Sequence, residues 1–208
     1  EDGTTARLLN RATQGLYPPG STFKVLTALS FMEQKYDEYA DYNYNCEGSI
    51  VEHGVEIGCY SGKVHGEVDL ETSLAKSCNT SFVNMGTQLN QNKLKKLCET
   101  FLFNSSIPFK LDTKKSTYVL SSETDVGMIP QTVIGQGDTL ITPLHNAMII
   151  SAIANDGVMM EPLLIDSITD FTGRTVRNYR SDSVDTVITK KQARVMQTYL
   201  RSVVENGT

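Results

Sequence analysis

Apolar positions near the start of the chain recur with a helical period. Val25, Leu26, Leu29 and Met32 follow Ser21, a residue that can cap a helix start. Residues 1–20, rich in Gly, Pro and polar side chains, predict a loop before it. From Tyr36 to Gly66, tyrosines, Val and Ile stand among glycines, which predicts short strands and turns. A short helix is expected from Leu70 to Ala75, with Asp69 as its N-cap. Two more are expected, over Thr80 to Leu89 and Gln91 to Phe101. Residues 104–133 hold no sustained period and predict irregular chain. Thr142 as N-cap, Pro143 at the first helical position and Gly157 beyond the end punctuate a further helix. Its apolar residues go most of the way round, so burial on several sides is expected. Leu163 to Thr169 and Arg174 to Tyr179 flank an Asp-Phe-Thr-Gly turn and predict a hairpin. Thr189 and Gln192 form a capping-box start for a last helix reaching about Glu205. The sum is a helix-rich α+β chain with a minor β component.

Composition changes this picture little. The 208 residues are 39% hydrophobic and 21% charged, enough for one sizeable core. A net charge of −5 weighs against nucleic acid as a partner, because phosphate binding shows as a basic surplus. No run of about 18 apolar residues occurs, the length a membrane-spanning helix needs. The chain starts at Glu1 without methionine and reads as an excised piece of something longer. Any membrane anchor would therefore lie in a segment absent from it.

The four cysteines are Cys46, Cys59, Cys78 and Cys98. A Cys46–Cys59 disulfide and a set of free, half-buried thiols both fit the spacing. Cys46, His53, Cys59 and His65 can be drawn as a zinc set, but the spacing matches no common structural site, and no metal is expected. His53, His65 and His145 belong to no recognisable catalytic motif. Structural or surface roles are expected for them. Gly135-Gln136-Gly137 predicts a turn, since Leu140 breaks the dinucleotide-binding pattern.

Two short motifs carry chemistry. Ser21 and Lys24 are three apart, so a helix puts them on one face. Backbone N–H groups at a helix start suit the negative charge that grows on a carbonyl under attack. A serine needs a base, and Lys24 serves only when neutral. That calls for burial or a nearby cation to lower its pKa from about 10.4. The same spacing also describes a plain cap with a solvated lysine. Ser77-Cys78-Asn79 falls between two helical segments. Its hydroxyl can relay a proton and its amide can donate and accept at once. An inter-helix turn with capping residues uses the same side chains.

Together the motifs are more specific. The segments "NRATQGLYPPGSTFKVLTAL", "HGEVDLETSLAKSCNTSFVNMG" and "IGQGDTLITPLHNAMIISAIANDG" resemble, in family order, the class B penicillin-binding protein transpeptidase domain. The resemblance implies a penicillin-binding protein or serine β-lactamase-like fold, of which residues 1–208 are a partial domain. It implies Ser21 as the acylated nucleophile and Lys24 as its base, with Ser77 and Asn79 aiding proton transfer and substrate positioning. It implies peptidoglycan stem peptides ending in D-Ala-D-Ala as donors, β-lactams as trapping agents, no cofactor, and a place on the extracytoplasmic face of a bacterial membrane. A D,D-carboxypeptidase, a β-lactamase or a non-catalytic β-lactam sensor on the same scaffold are the alternatives.

The chain departs from the family at two points. Cys78 stands where the Ser-Asp-Asn form of the triplet has Asp, a position at which the family tolerates variation. The third motif, Lys-Thr-Gly, occurs nowhere in the 208 residues. Much of the family's central antiparallel sheet is therefore expected to be missing and the chain inactive as it stands. An exposed sheet-facing surface is expected to favour self-association.

Overall fold

A computed structural model describes residues 9–207. A short α1 (Arg11–Gln14), capped by the Asn10 side chain, falls inside the segment expected to be a loop. The chain then makes one 3-10 turn, Gly20–Phe23, and continues as α2 (Lys24–Gln34). Ser21 thus sits inside the 3-10 turn and does not cap the helix. Its hydroxyl is left for other partners.

Every side chain from Phe23 to Met32 is buried, so α2 is the axis of the molecule. Around it pack Phe82 and Met85 of α4 (Asn79–Thr87), Leu94 and Leu97 of α5 (Gln91–Thr100), and Met196 of α8 (Lys190–Asn206). The Phe23 and Tyr118 rings stack with centroids 5.6 Å apart. The α3 segment (Leu70–Ala75) starts where expected, with Asp69 accepting from the Thr72 N–H. In the irregular stretch 104–133 a 3-10 turn, α6 (Ile129–Thr132) and an isolated bridge from Thr117 to Leu140 form. Helix α7 (Pro143–Ala154) has the expected Thr142 cap.

The expected burial of α7 on several sides is only half realised. His145, Met148, Ile149, Ala152 and Ile153 are buried, while Ala147, Ile150 and Ala154 form an exposed strip. Among the described residues, no element covers that strip. His145 plays a structural part. Its ring spans Ser116 Oγ and the Phe101 carbonyl, and burial pushes its pKa down.

The strands form four separate antiparallel pairs. In order they are β1 (Tyr44–Cys46), β2 (Ser49–Glu52), β3 (Val55–Gly58), β4 (Gly66–Val68), β5 (Val158–Met160), β6 (Ser167–Thr169), β7 (Thr175–Asn178) and β8 (Ser183–Thr186). The expected hairpin at 163–179 appears as β6 and β7, shortened at its first strand. β5 pairs with β8, a partnership no local pattern announces. Among the described residues there is no larger central sheet. The β1–β4 and β2–β3 pairs lean on α4 and bring the region before residue 70 against the start of that helix.

Candidate active site

The site forms where three local structures meet. The first is the 3-10 turn. Residues three apart eclipse in such a turn, which stacks Lys24 onto Ser21 more closely than an α-helix does. Lys24 Nζ lies 3.3 Å from Ser21 Oγ. The loop before it is fixed from behind by the 135–137 turn: the Gly20 N–H donates to the Gly135 carbonyl at 2.8 Å. A Cβ on Gly135 would stand 2.1 Å from the Gly20 carbonyl oxygen, so the close approach requires glycine there.

The second structure is the link between α3 and α4. The Cys78 N–H donates to the Ser73 carbonyl and the Ser77 N–H to the Leu74 carbonyl. This is the Schellman way of ending a helix, and it needs a left-handed residue that is usually glycine. Here that residue is Ser77, at φ 50°. The strained backbone turns the Ser77 hydroxyl toward Ser21, to which it donates at 3.0 Å.

The third is the end of β3. The Asn79 amide donates to the Gly58 carbonyl at 2.8 Å and, with Oδ1, accepts from Lys24 at 2.6 Å. Lys24 also donates to Ser77 Oγ at 2.9 Å and to the Ser77 carbonyl at 2.7 Å. Its ammonium lies 5.6 Å from the centre of the Phe82 ring. The structure thus joins all four residues picked from the sequence. It also assigns Asn79 a task the sequence did not suggest, the anchoring of Lys24 to the sheet.

Lys24 is only 1% exposed. Burial lowers its pKa to about 8, against the weaker opposing pull of Cys78 and Cys59. At that value about a tenth of the lysine is neutral at pH 7, against one in a few thousand for a free lysine. A neutral amine can accept the Ser21 proton, directly or through Ser77 Oγ.

Ser21, Ser77 and Asn79 open onto a cleft of about 430 Å³, also lined by Tyr60, Lys63, His65 and Lys76. None of those four was singled out for the site by a motif. The positions of Tyr60, Lys63 and His65 depend on how residues 59–66 fold back over the helix link, of which Lys76 is itself a part. Lys63 and Lys76 make the cleft suited to an anionic ligand.

The cysteines take the free-thiol alternative, and they are buried rather than half-buried. Cys46 and Cys59 are free, with sulfurs 3.7 Å apart. His53 is exposed at the β2–β3 hairpin tip, where His53 and Gly54 both have positive φ as a two-residue turn requires. Although drawn into the set from the sequence, it lies outside the group that the fold brings together, where Cys78 joins Cys46, Cys59 and His65 instead. The Asp-to-Cys departure in the second motif thus places a thiol in the protein interior.

A buried lysine of lowered pKa on a serine, bridged by a second serine, is an arrangement that can support serine acyl transfer. Comparison with known proteins leads to the same class. The penicillin binding protein transpeptidase domain model matches residues 1–208. Peptidoglycan D,D-transpeptidase PbpA of Mycolicibacterium smegmatis is 33% identical over 171 residues, covering 80% of this chain and 34% of that protein. Stage V sporulation protein D of Bacillus subtilis is 31% identical over 196 residues, covering 92% and 30%. Penicillin-binding protein A from M. tuberculosis, solved as an imipenem acyl-enzyme complex, superposes with a TM-score of 0.87 at 27% identity, covering 100% of this chain and 48% of that one. The D,D-transpeptidase domain of an Eggerthella lenta peptidoglycan glycosyltransferase gives 0.85 at 28%, covering 99% and 53%. The chain belongs to the penicillin-binding protein transpeptidase domain family. It spans about a third of the length of the curated relatives it matches.

Proposed function

We propose that these residues supply the nucleophile half of a peptidoglycan D,D-transpeptidase site. The observation that carries this reading is the buried Lys24 amine, 3.3 Å from Ser21 Oγ and held by Ser77 and Asn79. Ser21 Oγ attacks the carbonyl between the two D-alanines of a stem peptide. Its proton passes to Lys24 Nζ, through Ser77 Oγ or directly. The terminal D-alanine leaves as an amine and takes a proton, which leaves an ester on Ser21. An amine of a neighbouring strand then attacks that ester, gives up a proton, and frees the serine. A β-lactam enters by the same first step, and its tethered leaving group stays on the acyl-enzyme. The relatives' names and the acyl-enzyme state of the M. tuberculosis protein support this reading. A place outside the cytoplasmic membrane follows from the substrate.

Acyl transfer also needs donors for the oxyanion and for the substrate carboxylate. The family draws these partly from a Lys-Thr-Gly strand, and the 208 residues contain none. A labelled penicillin should therefore fail to mark these 208 residues alone. It should mark the same chain continued through a Lys-Thr-Gly strand, and Ser21→Ala should abolish the label. Absence of label on both forms overturns the reading in favour of a decayed scaffold. Label without cross-linking of stem peptides assigns a sensor, and rapid turnover of the penicillin assigns a hydrolase.

We further propose that the 208-residue chain pairs with a second copy through its uncovered apolar strip. Ile150 of α7 and Val204 of α8, the latter 87% exposed, lie on that face. Sedimentation should show concentration-dependent dimers. A monomer at high concentration counts against it.

A further inference from the structure

A cluster that the acyl-transfer chemistry does not use lies directly behind the Ser77–Asn79 turn. Cys46 ends β1, Cys59 follows β3, His65 precedes β4, and Cys78 is the N-cap of α4. One ligand atom from each lies within 4.8 Å of the other three. The Cys46 and Cys59 sulfurs are 3.7 Å apart, those of Cys59 and Cys78 3.8 Å, and Cys46 Sγ is 3.3 Å from His65 Nδ1. Tetrahedral zinc, with Zn–S bonds of about 2.3 Å, holds its sulfurs about 3.8 Å apart. The three thiols are free, and each sits at the distance of a shared ligand.

We propose that Cys46, Cys59, His65 and Cys78 bind one zinc ion in a closed structural site that fixes the Ser77–Asn79 turn. Three thiolates and an imidazole make a complete tetrahedral set of the soft and intermediate donors that favour zinc over magnesium or calcium. The protein fills all four positions, so the ion has a holding role and stays apart from the substrate. Outer-shell support is in place. Thr80 Oγ1 donates to Cys46 Sγ at 3.2 Å and lies 3.4 Å from Cys78 Sγ. The three cysteines are buried, while His65 is half-buried and lines the cleft, which gives the ion a way in. The ligands come from four separate segments, and two of those segments reach the catalytic groups. Cys78 lies between Ser77 and Asn79, and Cys59 follows Gly58, whose carbonyl holds the Asn79 amide. A zinc ion here joins the two small sheets to the turn that bonds Lys24.

Zinc binding at this cluster needs no substrate. The 208-residue chain, produced with zinc supplied and purified without chelator, should carry about one zinc per chain by elemental analysis. Cobalt exchanged into it should show the intense visible absorption of a tetrahedral thiolate site. Cys59→Ser and His65→Ala should each lower the zinc content at least about tenfold. His53→Ala and Cys98→Ala, which lie outside the cluster, should leave it unchanged. Because a cysteine variant can fail to fold, the wild-type chain gives a second reading. Stepwise blocking of its thiols in the presence of a coloured chelator should release one zinc as the three cluster cysteines react. Less than about 0.1 zinc per chain, an octahedral cobalt spectrum, or an intact mass showing a Cys46–Cys59 disulfide would overturn the proposal.

Discussion

Penicillin acylation of Ser21, measured in the chain continued through a Lys-Thr-Gly strand, should accelerate about tenfold between pH 7 and pH 9. The rise follows from Lys24, whose burial sets its pKa at about 8, and which must lose a proton before it can take one from Ser21. Lys24→Met should lower the rate about 10³-fold and remove the rise, because methionine fills the same space and accepts no proton. A Lys24→Met variant with the wild-type pH profile would assign the base elsewhere. The same shift enters stability. The folded pKa lies below the ordinary value of 10.5, so between pH 8 and 10.5 the unfolded chain binds more protons than the folded one. The stability tied to Lys24 is therefore present in full above 10.5 and lost as pH falls to 8. Below that, burial of the ammonium costs about 3 kcal/mol. Denaturant titrations of wild type and Lys24→Met across this window isolate the effect, since the other groups titrating there are common to both.

Ser77→Gly should separate stability from activity. Ser77 occupies a left-handed position that glycine takes at little cost. The variant should gain about 1 kcal/mol, which in a chain of this size is about 2–4 °C in melting temperature. It also loses the hydroxyl that stands between Ser21 and Lys24. Acylation should fall at least about 10²-fold. A stabilised variant with unchanged acylation would show that the proton passes directly across the 3.3 Å between Ser21 and Lys24.

Short-range interactions are legible in this sequence and long-range ones are not. Caps were legible because they are local. Asp69, Thr142 and the Thr189–Gln192 box each use side chains within three residues of the N–H they satisfy. The pairing of Ser21 with Ser77, 56 positions apart, was legible only through the family motifs. The 3-10 turn at Ser21 was missed because serine before an apolar period reads equally well as an α-helix cap. Cys78 was missed as a partner of Cys46 and Cys59 because it lies on a helix start, outside the strand region that suggested the others. β5 with β8 stayed hidden for the same reason, since some two dozen residues separate the paired strands.

The enclosure of α2 also divides the site by how freely it can vary. Lys24 belongs to a run of ten consecutive buried residues, Phe23 to Met32, where any change of side-chain volume is felt throughout the core. Tyr60, Lys63 and Lys76 line the same cleft from segments near the surface. Substitutions that retune which ligands enter therefore fall on that rim, where they cost little packing. Under the proposed function the base of the first chemical step, Lys24, is held constant by the interior around it, while Ser21 lies exposed at its edge. Under that proposal, ligand preference can drift in such a protein while the proton acceptor stays fixed.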